Sequence, residues 1–145
     1  MAVQQTTPEE AQRLIGQGVR YIDVRTEQEF ADGHPAGAVN IPVVTPDPTT
    51  GQIALNPDFL SVCEATFSKP TALIVGCQSG MRSQHAAELL VQAGYTEVTN
   101  MQGGFGGARD QTGRTVVAGW SASGLPVCRN CGPENSYAGL RGKCG

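Results

Sequence analysis

The 145-residue chain lacks several features that mark large functional classes. No apolar run approaches the roughly 20 residues that a membrane-spanning helix needs. The N-terminus, MAVQQTTPEEAQRL, has no basic flank and no apolar segment behind it. A secretory signal is therefore not expected, and a cytoplasmic location is. Basic charge is scarce: ten Lys and Arg stand against thirteen Asp and Glu, and the net charge is −3. The basic residues are also scattered, so no stripe exists for a phosphate backbone, and neither nucleic acid nor a membrane is an expected partner. Two isolated histidines, His34 and His85, do not make a metal site. Internal repeats and low-complexity segments are absent.

What is present fits a single compact domain. Hydrophobic residues make up 39% and charged residues 16%, which excludes a wholly disordered chain. Nineteen glycines and nine prolines exceed ordinary usage and read as turn punctuation between short elements. Thr7, Pro8 and Glu10 open a helix over 7–16 with a capping box, and Ala11, Leu14 and Ile15 share its apolar face. Residues 20–24 read as a strand, 27–30 as one or two helical turns, 33–37 as a turn cluster and 38–42 as a small strand. Thr45 to Gly51 reads as a Pro-rich surface loop. Asn56 and Pro57 open a second helix over 56–67, with Phe59, Leu60, Cys63 and Phe67 on its buried side. Ala72 to Val75 is an uninterrupted apolar strand of the kind buried on both faces of a parallel sheet. After the loop CQSGMR comes a helix over 83–94, and then a strand over 96–99. Strands alternating with helices predict an α/β domain with a mainly parallel central sheet and helices on both faces.

Ligands of such sheets sit beyond the carboxyl ends of strands, where the loop beginning at Cys77 falls. A loop from strand end to helix start can turn its N–H groups toward one centre, and the helix N-terminus adds about half a positive charge. A thiol placed there is stabilised as thiolate. Gly80 permits the tight backbone turn, and Arg82 offers a permanent charge and a bidentate fork for a dianion. Cys77 is thus the candidate nucleophile. Gln78, Ser79, Gly80, Met81, Arg82 and Ser83 are the candidate substrate-binding residues.

The motifs at this point resemble the single-domain rhodaneses, or thiosulfate sulfurtransferases. Asp23-Val24-Arg25, then Glu29-Phe30, then Gly33 to Pro42 (GHPAGAVNIP) is similar to that family's first signature. CQSGMRS is similar to its active-site loop, and Gly103-Gly104-Phe105 with Trp120 to Val127 resembles its closing signature. NPDFL and VGCQSGMRS look especially like the small plant-type and bacterial members. The resemblance spans about residues 5–127; residues 1–127 are expected to form one rhodanese domain, with 128–145 as a cysteine-containing tail. Gly106 to Gly119 departs from it, being longer than the usual link, and reads as an inserted surface loop bordering the site. The resemblance implies supporting roles for Asp23 and Arg25, which would hold loops by ion pairing, and no catalytic task for His34. It also separates sulfur from phosphate chemistry. The related fold of certain tyrosine phosphatases carries Cys-x5-Arg, whereas Cys77 to Arg82 is Cys-x4-Arg, the sulfurtransferase length.

The implied activity moves a sulfane sulfur from thiosulfate or a persulfide donor to cyanide, a thiol or a protein acceptor. It passes through a Cys77 persulfide and needs no metal or organic cofactor. Two alternatives belong to other classes: a non-catalytic rhodanese-fold binding module, and an arsenate or thiol-disulfide reductase in which tail cysteines resolve Cys77. Five cysteines in a chain without a signal do not suggest a disulfide framework. Cys63 reads as a buried small hydrophobe. Cys128, Cys131 and Cys144 form Cys-x2-Cys-x12-Cys, open to redox-active thiols, a zinc knuckle lacking its fourth ligand, or a disulfide pair.

Overall fold

The computed structural model describes residues 3–46, 49–78, 81–109, 112, 114–117 and 119–128. Five strands form one sheet: Gln4–Thr6, Arg20–Asp23, Ala38–Asn40, Leu73–Gly76 and Val98–Met101. Their spatial order puts Gln4–Thr6 at one edge, then Val98–Met101, Leu73–Gly76 and Arg20–Asp23, with Ala38–Asn40 at the other edge. Every neighbouring pair is parallel. The fold class is therefore the expected one. Leu73–Gly76 lies in the middle, buried along its whole length, which suits its unbroken apolar sequence.

Alternation along the strands assigns side chains to two cores. Ile22, Leu73, Val75 and Val98 join Phe59, Val62 and Cys63 of α3 (Phe59–Thr66) and Ala86, Ala87 and Leu90 of α4 (Met81–Gln92). Tyr21, Ile74 and Met101 join Ala11 of α1 (Pro8–Gly16), Phe30 of α2 (Glu27–Asp32) and Trp120. Helices thus cover both faces. Among the described residues, no helix is long and apolar enough to cross a membrane.

Several boundaries differ from the sequence expectation, each for a local reason. In α1, Thr7 caps the Glu10 N–H, but the Glu10 carboxylate turns to Arg13, so only half of the capping box forms. The full box is in α2, where Thr26 and Glu29 cap each other's backbone. The helix expected from Asn56 starts later, at Phe59. The Asn56 amide donates to the Pro42 carbonyl (2.9 Å) while its carbonyl oxygen accepts from the Asp58 N–H (3.1 Å), which makes a turn before the helix. Gln4–Thr6, too polar to read as a strand, is recruited by pairing with Val98–Met101. The Pro-rich stretch enters an antiparallel pair, Val44–Pro46 with Ile53–Leu55. Within Gly106 to Gly119, expected as an inserted surface loop, Ala108–Arg109 pairs antiparallel with Thr115–Val117. His34–Pro35, expected as turn, pairs with Val127–Cys128, which ties the end of the described chain to the end of α2.

Candidate active site

Cys77 follows directly on Leu73–Gly76, and α4 opens at Met81. Met81 and Arg82 are good helix formers, so the helix begins two residues before the expected Ser83 and carries Arg82 in its first turn. Ser79 and Gly80, expected to line an anion site, lie outside the described residues. Cys77 is not disulfide-bonded and is 1% exposed. Its carbonyl accepts from the Phe105 N–H at 2.6 Å, and the Gln78 carbonyl accepts from the Gly106 N–H at 2.9 Å. Two consecutive peptides of the cysteine loop are therefore bound to the segment 104–106.

That close approach needs glycine. Gly104 has φ +57°, and a Cβ there would meet the Cys77 carbonyl oxygen at 2.2 Å. A Cβ on Gly106 would meet the Gln78 side-chain nitrogen at 2.0 Å. Directly before the cysteine, a Cβ on Gly76 would overlap the Tyr21 hydroxyl oxygen at 1.6 Å.

Two ion pairs flank the loop. Asp23 and Arg25 are almost fully buried and meet at 2.8 Å. Arg25 also donates to the Gly33 carbonyl (2.6 Å) and to the Gln78 side-chain oxygen (3.3 Å), and the Phe105 ring lies over its guanidinium at 4.5 Å. Arg25 therefore connects α2, the cysteine loop and the glycine-rich segment. The second pair joins helices 53 residues apart: Arg82 donates to both Glu29 carboxylate oxygens, at 2.8 and 3.0 Å. Arg82, assisted by the Thr26 N–H, holds the Glu29 carboxyl down at about 2, and Glu29 in turn raises Arg82. Ser83 is fully buried, and its hydroxyl donates to the Asn100 side chain.

The fork of Arg82, expected to hold a dianionic donor, is thus occupied by Glu29, and the Ser83 hydroxyl is used inside the fold. Gln78 is the loop residue whose side chain faces the Arg25 network. What the sequence reading missed is the partner of Arg82 and the role of residues 104–106. Glu29 carried a local signal, its place in a Thr26-x-x-Glu29 capping box. No signal of spacing identified its link to Arg82.

The remaining candidates lie elsewhere. His85 is exposed, and burial pushes the Cys63 thiol up. The His34 ring stacks on Phe30 with centroids 3.6 Å apart, and its Nδ1 lies 2.7 Å from the Phe30 carbonyl. A carbonyl only accepts, so Nδ1 carries the proton. Burial pushes the His34 pKa down. Trp120 is buried, donating to the Pro126 carbonyl at 2.7 Å. Among the described residues, no group of three or more His, Cys, Asp or Glu side chains is placed to hold a metal ion. Cys131 and Cys144 of the suggested zinc knuckle lie outside the described residues. Cys128 is disulfide-bonded, which favours the disulfide reading of the tail over free thiols at that residue.

A cysteine at the carboxyl end of a central parallel strand, with an arginine in the first turn of the next helix, defines a class of α/β domains that display a thiol on a strand-to-helix loop. Within that class the chain belongs to the rhodanese-like domain family, whose family model matches residues 7–110. It is similar to "Thiosulfate sulfurtransferase 16, chloroplastic" of Arabidopsis thaliana, with 38% identity across 81% of this chain and 86% of that protein. It is also 41% identical to "Protein HIGH ARSENIC CONTENT 1, mitochondrial" of the same plant, across 66% of this chain and 55% of that protein. The chain spans 57%, 51% and 62% of the length of three other curated relatives. A crystal structure of Rv0390 from M. tuberculosis superposes with a TM-score of 0.72 at 30% identity, covering 89% of this chain and 99% of that one.

Proposed function

We propose that the protein is a thiosulfate or persulfide sulfurtransferase in which Cys77 is the nucleophile. The observation that carries this reading is the position of Cys77. It follows the central strand, stands ahead of the α4 N-terminus and has its carbonyl bound by Phe105. In the first displacement, the Cys77 thiolate bonds to the donor's outer sulfur. The donor's sulfur–sulfur bond breaks, and its electron pair leaves with sulfite or a thiolate. The enzyme then carries a persulfide whose terminal sulfur is stabilised by N–H donors and the helix dipole. In the second displacement, cyanide, a thiol or a protein thiol bonds to that terminal sulfur, and the Cys77 thiolate leaves. With Cys77 1% exposed, a narrow sulfur-terminated donor suits it better than a bulky one. Neither a metal nor an organic cofactor enters the cycle, and we place it in the cytoplasm.

Intact-protein mass spectrometry tests this. Thiosulfate is expected to add one sulfur atom, and cyanide to remove it as thiocyanate. Cys77→Ser is expected to abolish both, because a serine hydroxyl is far harder to ionise than a thiol. Thiosulfate:cyanide turnover that survives Cys77→Ser would overturn the assignment. A second reading, reduction of arsenate with a tail cysteine resolving Cys77, is supported by the relative whose name refers to arsenic content. Arsenate-dependent thiol oxidation, measured after reduction of the Cys128 disulfide, that disappears when Cys128 and Cys131 are both replaced by serine would favour it.

A further inference from the structure

Among the described residues, Asp23, Arg25, Glu29 and Arg82 are charged side chains bound around the cysteine loop, and these four cancel. Arg25 donates three side-chain hydrogen bonds to Asp23, and Arg82 donates two to Glu29. Arg25 is nearly fully buried in its pairing, and Arg82 keeps 31% of its side chain exposed, beside a Glu29 that keeps 32%. The electrostatic reach of Arg82 includes Cys77 and Asp23 as well as Glu29. A cation paired in this way adds little net potential for an incoming anion. Once Cys77 is a thiolate, the group Asp23, Arg25, Glu29, Arg82 and Cys77 carries a net charge of about −1 by formal count. A donor with two negative charges then meets more repulsion from this group than a donor with one.

Resting on the sulfurtransferase reading, we propose that Glu29 is a specificity-determining residue that sets donor charge. By occupying the Arg82 fork, it makes Cys77 favour sulfane donors carrying at most one negative charge over dianions. Glu29 does not touch the reacting sulfur and acts through Arg82. Specificity of this kind arises from an uncompensated like charge set against the wrong partner.

Two donors that differ by one charge isolate the effect. Thiosulfate is a dianion, and methanethiosulfonate is a monoanion with the same kind of outer sulfur. In each, the Cys77 thiolate takes the outer sulfur while the electron pair of the broken bond departs, with sulfite in the first and methanesulfinate in the second. The readout is the second-order rate of persulfide formation on the full chain, followed by intact mass.

Glu29→Gln keeps an oxygen for the Thr26 N–H and removes the charge. It is expected to raise the thiosulfate to methanethiosulfonate rate ratio about tenfold, since the two donors differ by one charge in the field of the residue removed. Glu29→Asp keeps the charge and is expected to leave the ratio within about twofold of wild type, which a purely structural role would not predict. A Glu29→Gln variant that changes both donors by the same factor overturns the proposal. Salt dependence of the wild-type protein tests it without any variant: the thiosulfate rate is expected to stay level or rise with ionic strength. A steep fall, the mark of attraction to a net positive site, overturns it as well. Failure of the underlying reading looks different, because wild-type Cys77 would then gain sulfur from neither donor.

Discussion

Gly76 and Gly104 set how closely the chain approaches Cys77 from either side. At Gly76 a Cβ would overlap the hydroxyl oxygen of Tyr21, a fully buried side chain in contact with Trp120 at 6.2 Å between ring centroids. Gly76→Ala therefore displaces an aromatic ring from a packed core and is expected to cost about 2–4 kcal/mol. In a Tyr21→Phe background the worst overlap is gone, and the cost should fall by about 1 kcal/mol or more; urea melts of the four proteins give this coupling directly. Equal costs in both backgrounds would show that the tyrosine hydroxyl is not what Gly76 accommodates. At Gly104 the obstacle is backbone, the Cys77 carbonyl at 2.2 Å, and the φ of +57° adds the left-handed penalty of about 1–2 kcal/mol. Backbone has no rotamer into which it can retreat. Gly104→Ala is expected to push the cysteine loop away from the Phe105 N–H and slow persulfide formation at least tenfold, measured as the rate of mass gain with thiosulfate.

Between elements, the Glu29–Arg82 pair connects α2 to α4 across the loop, and its pH dependence follows from the direction of the shift. The folded carboxyl titrates at about 2 against an ordinary 4.5, with the Arg82 hydrogen bonds as the leading cause. A depressed carboxyl contributes stability that is fully present above about pH 4.5 and is lost as pH falls toward 2. With roughly a third of each side chain in solvent, screening reduces the contribution to about 1–2 kcal/mol. Denaturant melts at pH 7, 4 and 3 are expected to show wild type losing that margin over Glu29→Gln, and a constant difference across the series would contradict the linkage. This pair also marks the limit of what was legible in the sequence. The parallel sheet, its central strand, the cysteine at its end and the α2 helix follow from local periodicity and punctuation. A loop-holding role for Asp23 and Arg25 was expected from the family resemblance, and their pairing with each other is seen only in the fold. The occupation of the Arg82 fork was not legible, because its partner is 53 residues away and spacing carries no information across a sheet. The same reason hid the strand Gln4–Thr6 and the hold of residues 104–106 on the loop, both of which exist only through long-range pairing.

At the scale of the whole molecule, the two cores make a frame whose described residues lie outside the Ala108–Arg109 and Thr115–Val117 pair. Leu73–Gly76 supplies side chains to both cores and delivers Cys77 at its end, so sheet stability and site geometry share one strand. The frame is completed by 103–107 packing against 119–121: the Gly107 N–H donates to the Gly103 carbonyl (2.6 Å), Trp120 to Gly104 (2.9 Å) and Ser121 to Phe105 (3.0 Å). Ala108–Arg109 and Thr115–Val117 lie outside this clamp. The two ends of the 107–119 segment already touch, since a Cβ on Gly119 would fall 2.2 Å from the Gly107 nitrogen. Residues 108–118 can therefore be replaced by a two-glycine bridge without pulling the clamp open. Shortening a loop whose ends are held together changes closure entropy by only about 1 kcal/mol. The replacement is expected to move the melting temperature by no more than a few degrees and to leave the thiosulfate-driven mass gain at Cys77 within about threefold of wild type. Transfer from the persulfide to acceptors of increasing size is the step to compare next, because the hairpin leaves the frame next to the glycines that hold the cysteine loop. A replacement protein that fails to fold, or that loses persulfide formation more than tenfold, would show that the insertion is part of the frame and that the clamp of 103–107 with 119–121 cannot hold Cys77 in place alone.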